Sequence, residues 1–231
     1  LQNYFNYFTE IEEHFQRRRG GILMLSTLDW ALIETWKDAG IALEAVLRGI
    51  DATFDHYEQR PSKTRKINGL GFCSQEVLAA AEDMKEAVVG TSKESKPDRG
   101  FDPIEIAEFL RRNASELESA KLPSRPGVSP HAVAVEIAAT LREIALSVET
   151  KLPRLEDLER TLTVLEEKLF AILLAAVADD EVIAVRAQAD RELAAYRSKM
   201  QSAQVQQLQK QYVHKRLLEK YGVPRLSLFY M

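Results

Sequence analysis

The side chains able to do chemistry in this 231-residue chain are four histidines (His14, His56, His131 and His214), one cysteine (Cys73) and a few acidic doublets. The histidines sit on separate segments, and no His/Glu pair has the spacing that turns two ligands toward one ion, so no metal or cofactor is expected. A single cysteine excludes an internal disulfide and any thiolate cluster. Cys73 lies near a helical apolar face and reads as a small buried hydrophobe; as a nucleophile it has no partner that the sequence can name. Glu12-Glu13 and Glu166-Glu167 have acid/base chemistry by type, but neighbours on a helix point apart, which makes them part of a solvated face. Gly69-Leu70-Gly71 lacks the third glycine and the preceding strand of a phosphate-cradling loop, and reads as a close helix contact. No stretch forms a catalytic motif, and an enzyme would need a site assembled between separate helical parts.

The cations are more suggestive. The net charge is −4, yet residues 193 to 231 hold seven Lys/Arg and one Asp/Glu, so that this end carries +6 and the rest −10. Nucleic-acid contacts are expected from Arg60, Lys63, Arg65 and Lys66 in a basic loop, and from Arg197, Lys199, Lys210, Lys215, Arg216 and Lys220 on the last helix. Tyr196, Tyr212 and Tyr221 would stack on bases. Helical geometry opposes the second group, because Arg197 and Lys215 share a direction while Lys199 and Lys210 point to nearly the opposite side. Arg17-Arg18-Arg19 would suit a phosphate contact, but the negative end of a helix dipole predicts the same residues and is the preferred reading.

These residues need elements to hold them. Hydrophobic content of 45% with 10 Gly and 8 Pro predicts an all-α protein with an ample core. Leu155, Leu158, Leu162, Leu165, Leu169, Ile172 and Ala176 recur at alternating spacings of three and four, a heptad seam that makes this helix the spine of a coil. Glu159, Glu166 and Lys168 flank the seam. A second seam, Ala134, Ile137, Leu141, Ile144 and Val148, should pair with it as an antiparallel hairpin across Pro153. The pattern from Asp179 to Tyr221 predicts one long final helix, stopped by Gly222 and Pro224. Ser26 with Asp29 predicts a capping box opening a helix to Ala39, Gly40 ends it, and Leu43 to Tyr57 forms the next helix. The expected domains are a small N-terminal helical module over 1–89, a linker over 90–101, and a coil domain over 102–231 that forms a hairpin or three-helix coil. The apolar end, with Leu226, Leu228, Phe229 and Tyr230, alternates like an extended segment and should be docked. The expected groove is on the N-terminal module near Trp30, Trp36, Phe54 and Phe72, with a partner protein's groove as the alternative.

The stretch Leu25-Ser26-x-x-Asp29-x-x-x-Ile33-x-x-Trp36-x-x-x-Gly40-x-x-x-Glu44-x-Val46-x-x-x-Ile50, continued by Asn68, Leu70, Phe72, Val77 and Leu78, resembles the C-terminal helical domain of DnaD-type replication initiation and phage replisome-organiser proteins. Ala79, Ala80 and Ala81 stand where that family shows a second tryptophan. The resemblance, over residues 25–78, implies a DNA-associated helical module with the Arg60 to Lys66 loop as its phosphate contact.

Three functions follow as expectations. The first is a non-catalytic interaction or adaptor protein that meets a protein partner or a second copy of itself; the second is a nucleic-acid binder related to replication-type helical modules; the third is a helical enzyme with a site between its two parts. The longest apolar run, Leu169 to Ala178, is too short to span a bilayer, so no membrane is expected as partner. The single cysteine and a start without a signal-peptide pattern suggest the cytoplasm.

Overall fold

The computed structural model describes residues 6–20, 25–59, 66–88, 102–151, 153–197 and 200–231. Among them it forms nine α-helices and no strand: α1 (Tyr7–Arg19), α2 (Thr27–Asp38), α3 (Leu43–Glu58), α4 (Ser74–Val88), α5 (Pro103–Ser119), α6 (Pro130–Thr150), α7 (Leu155–Ala176), α8 (Asp179–Leu193) and α9 (Ser202–Tyr221). The protein is all-α. The expected linker over 90–101 lies outside the described residues. No described helix is long and apolar enough to cross a membrane.

Local chemistry explains the helix ends. Ser26 Oγ accepts the Asp29 amide while Asp29 Oδ2 accepts the Ser26 amide, completing the capping box. Gly20, Gly40 and Gly222 adopt φ of 75°, 68° and 64°, the left-handed region where a side chain would be strained. At Gly40 the turn is a Schellman motif, with Ile41 N–H donating to Trp36 O at 3.0 Å. Asp102 and Ser129 cap α5 and α6, each ahead of a proline at the first helical position.

The chain divides into two compact units, Leu1–Asp98 with Arg186–Val213, and Arg99–Val185 with His214–Met231. The division after Asp98 falls within the expected linker, but 186–213 groups with the N-terminal helices instead of with the coil. In the first unit α1 and α3 run parallel: Tyr7 Oη donates to Ile41 O at 3.0 Å, His14 Nε2 lies 2.9 Å from Asp51, and Phe15 meets Phe54 at 5.7 Å. Tyr7, Phe8, Ile11, Phe15, Ile33 and Ile50 are almost fully buried here. Val77 of α4 closes directly on Gly49 of α3, where an added Cβ would stand 2.4 Å from the Val77 Cα.

The single long helix expected from Asp179 to Tyr221 is two helices. Between Leu193 and Ser202 stand neither glycine nor proline, so periodicity carries no stop signal. The break is tertiary. Tyr196 lays its ring on Gly71, where a Cβ would be 2.5 Å away, and meets Phe72 edge-on at 5.6 Å. Gln204 Oε1 then accepts the Gln201 amide to reopen α9. Asp190 binds Gln209 at 3.0 Å and Glu192 binds Tyr212 at 2.7 Å, which holds α9 to the end of α8.

In the second unit α5 and α6 are antiparallel, joined by Arg111–Glu149 at 2.7 Å and by the bidentate pair of Arg142 with Glu118. α7 follows α6 across a short turn, and Lys168 of α7 reaches Glu136 of α6 at 2.9 Å. The buried stripe of α7 is Leu158, Leu162, Glu166, Leu169, Leu173 and Ala176, while Leu165 and Ile172 are only half-buried. The expected seam therefore shifts by a residue at two places, and Glu166 is not on a solvated face.

The reason is the chain end. The tail docks in its own unit, on α7 and α5; Trp30, Trp36, Phe54 and Phe72, near which its groove was expected, belong to the other unit. Leu226 N–H donates to Glu166 at 2.7 Å and Leu228 N–H to Glu159 at 2.8 Å. Ser227 Oγ donates to Glu159 at 2.5 Å, and Asn113 Nδ2 donates to Arg225 O at 3.1 Å. Two glutamates one heptad apart thus hold the amides of Leu226 and Leu228; the tail is extended as far as Ser227 and then turns as a short 3-10 helix over Leu228–Tyr230, so that Leu226, Leu228 and Phe229 are buried where strict alternation would have buried Tyr230. A proline-broken extended segment leaves its amides without helix partners, and carboxylates satisfy them.

Candidate anion-binding cleft

α1 ends in Arg17, Arg18 and Arg19, whose charges complement the carbonyl end of the helix dipole before Gly20 turns the chain. Arg18 turns onto α3, pairing with Asp55 and, at 3.4 Å, with Asp51, its guanidinium 5.6 Å from the Phe54 ring centroid. His14 shares Asp51. The acids of this part of α3 are therefore engaged by Arg18 and His14.

Arg19 instead lines a cleft of about 380 Å³ with Gly20, Phe54, Tyr57, Lys66 and Ile67. Phe54 and Tyr57, three apart on α3, share a face. Ile67 is buried and Lys66 is exposed. Neither Arg19 nor Lys66 has a salt-bridge partner among the described residues. Arg19 and Lys66 attract an anion to this cleft, and half-buried Tyr57 supplies its aromatic edge, Phe54 being buried against Phe15 with Arg18 beside it; phosphates joined to planar bases have that chemistry.

The other expected contacts are placed differently. Arg60, Lys63, Arg65 and Lys199 lie outside the described residues. Arg197 pairs with Asp190 in the first unit, and Lys210 is exposed there. In the second unit Lys215 and Arg216 both reach Glu219, at 3.2 and 3.6 Å, and Lys220 reaches Glu181 at 2.7 Å. The tyrosines expected to stack on bases are occupied: Tyr196 on Gly71 and Phe72, Tyr212 by Glu192, Tyr221 by Glu181 at 3.0 Å. Burial first, then the bond to Glu181, pushes the Tyr221 phenol up to about 12. Basic residues on these helices mostly face acids, so they do not form one free cationic stripe.

Trp36 is buried, and Trp30 is half-buried with its ring stacked on Phe8 at 5.4 Å. Cys73 is fully buried, and that burial pushes its thiol up to about 12. It packs. Asp29 is also held above its ordinary range, burial outweighing its hydrogen bonds to Ser26 and Leu70. Gly69 is close to this carboxylate and Gly71 to the Tyr196 ring, so both glycines serve close approaches, though not between two helices. Among the described residues no group of three or more His, Cys, Asp or Glu is placed to hold a metal ion.

Sequence reasoning missed Glu159 and Glu166 as tail ligands and Arg19 as the partner of Lys66. The i, i+3 spacing of Phe54 and Tyr57 was a readable signal for the aromatic wall; nothing local links Arg19 to Lys66.

Fold and cleft together define an all-α protein with a cation-lined aromatic cleft in its N-terminal helices. A family model described as an uncharacterised protein matches residues 6–93, a segment that includes every residue of the cleft. No curated protein and no solved structure matches the chain.

Proposed function

We propose that the protein is a non-catalytic binding protein whose N-terminal helices take the sugar-phosphate backbone of single-stranded nucleic acid in the Arg19–Lys66 cleft. The observation that carries this reading is that Arg19 and Lys66, far apart in the chain, line one cleft with Phe54 and Tyr57. Cations neutralise phosphates, and an aromatic ring stacks a base without regard to its identity. The resemblance of residues 25–78 to DnaD-type helical modules supports the same reading. The test is salt-titrated binding of labelled single-stranded and duplex oligonucleotides. Arg19→Ala and Lys66→Ala should each lower the salt slope by about one unit and weaken all sequences alike. Binding that ignores salt, or that the double variant retains unchanged, rejects it.

A second reading, a protein adaptor, is favoured by Val135 and Leu146, which are 42% and 61% exposed on α6. They lie about 20° apart around that helix but three turns from each other, with Ala139 and the paired Arg142 between them, so they are two separate apolar points on one face. Sedimentation of the protein and of Leu146→Glu tests it through self-association, which the variant should abolish.

A further inference from the structure

The C-terminal segment lies on the second unit as a peptide lies in a recognition groove. Asn113 of α5 and Glu159 and Glu166 of α7 hold residues 225–228 by main chain and side chain together. Glu166 accepts from Arg225 Nε and the Leu226 amide, Glu159 accepts from the Ser227 hydroxyl and the Leu228 amide, and Asn113 donates to the Arg225 carbonyl. None of these three side chains belongs to α9, the helix that carries the segment. Only Gly222, Val223 and Pro224 stand between Tyr221, where α9 ends, and Arg225. Gly222 takes φ 64°, the Val223 amide closes the helix by donating to Leu218 O at 2.9 Å, and Pro224 has no N–H to continue it. The segment is thus a separate element on a short hinge.

Glu166 shows what the groove selects. It is 7% exposed within the apolar stripe of α7, where a hydrophobic residue would complete the packing. A buried carboxylate costs desolvation that only a partner of matched geometry offsets, so it contributes more to selectivity than to stability. Because side chains alternate along an extended chain, a slip of one residue would turn Leu226 out of the groove and withdraw both donors from Glu166. The groove therefore reads the register Arg-Leu-Ser-Leu, which every copy of the chain carries. We infer that it is also an intermolecular docking site whose partner is a second copy of this chain: residues 225–231 of one copy enter the groove of the other, and the observed contact is the closed form of that interaction. Exchange replaces each contact by its equal, so the hinge and the concentration decide between the two forms. A short hinge holds the segment at an effective concentration of about millimolar, which keeps dilute copies closed, and a mismatch between a groove and its own segment removes that advantage.

Two full-length variants create the mismatch: Glu166→Arg repels its own Arg225, and Arg225→Glu repels its own Glu166. Each alone should sediment as a monomer. Mixed in equal amounts they should form a 1:1 complex, because the unaltered segment of the first meets the unaltered groove of the second and the two altered sides have opposite charge. Leu146→Glu carried by both copies should leave the complex intact, which separates this contact from association through α6. Independently, a peptide of residues 222–231 should raise the melting temperature of Arg225→Glu saturably. N-methylation at the peptide's Leu226 removes the amide hydrogen and keeps the side chain; it should weaken the peptide at least about tenfold, the size of one hydrogen bond to a carboxylate. Circular dichroism reports whether the variants fold, and Glu166→Gln or Arg225→Gln, which remove the charge without reversing it, replaces one that does not. The inference is overturned if the mixture stays monomeric, if Leu146→Glu dissolves the complex, or if plain and methylated peptides act alike. A peptide that binds while the mixture stays monomeric would assign the groove to the terminus of another protein, and would overturn it equally.

Discussion

Glu166 holds Arg225 with one carboxylate oxygen, 2.9 Å from Nε, and with the other accepts the amide of the next residue, Leu226, at 2.7 Å. A single side chain thereby anchors both the charge and the backbone of the C-terminal strap. His214 Nε2, itself edge-on to Phe170, stands 4.0 Å from the same carboxylate.

Removing that anchor should be expensive. Glu166→Ala leaves a mostly buried guanidinium and an amide without their acceptor, and breaking such a pair typically costs about 3–5 kcal/mol. Urea denaturation combined with hydrogen exchange at Leu226 measures it. A loss below about 1 kcal/mol, the scale of an exposed pair, would mean that the strap is held by its apolar residues alone.

Leu162 and Leu165 separate the observed stripe of α7 from the heptad seam. Leu162 is fully buried and Leu165 half-buried, so Leu162→Ala should cost about 2–5 kcal/mol and Leu165→Ala distinctly less. Equal losses in denaturant titrations would restore the seam.

Gly49 is where α3 and α4 touch backbone to backbone. In Gly49→Ala the new methyl would meet the Val77 Cα and N, at 2.4 and 2.5 Å, and neither is a side chain that can swing aside. Overpacking of this kind costs about 1–3 kcal/mol, enough to lower the melting point by several degrees. A helix-favouring gain from alanine, with a higher melting point, would contradict the close contact.

Tyr221 sets a pH dependence at the alkaline end. Its phenol is raised from 10.0 to about 12, so in that interval the folded protein keeps a proton that the unfolded chain has released. The stabilisation is complete below 10.0 and is lost as pH rises through about 12. Urea midpoints measured across this window should fall more steeply for the native protein than for Tyr221→Phe, and phenolate absorbance should show one late-titrating tyrosine missing in the variant. Superimposable pH profiles would remove Glu181 as its partner.

Much of the fold was legible because helix ends are written in a few neighbouring residues. Ser26 with Asp29, Gly40, Asp102-Pro103 and Gly222 each decide a terminus through hydrogen bonds or dihedral angles reaching no more than a few positions, and the structure puts helix ends at all of them. The angles expected for the second basic group do not carry over, because they take one helix through Arg197 and Lys220, whereas Arg197 lies between α8 and α9 and pairs with Asp190, and Lys215 and Lys220 on α9 meet Glu219 and Glu181.

What the sequence determined by itself was an all-α chain and where most of its helices begin and end, because propensity and capping are local free energies. Only the tertiary structure decided that α8 stops at Leu193, that Glu166 turns inward, and that Arg19 and Lys66 line one cleft. Each depends on a contact between residues far apart in the chain: Tyr196 on Gly71, Leu226 on Glu166, the end of α1 beside Lys66. A glutamate reads as solvent-facing until a backbone amide with no helix partner is brought to it, and a tyrosine interrupts a helix only when a distant glycine leaves room for its ring.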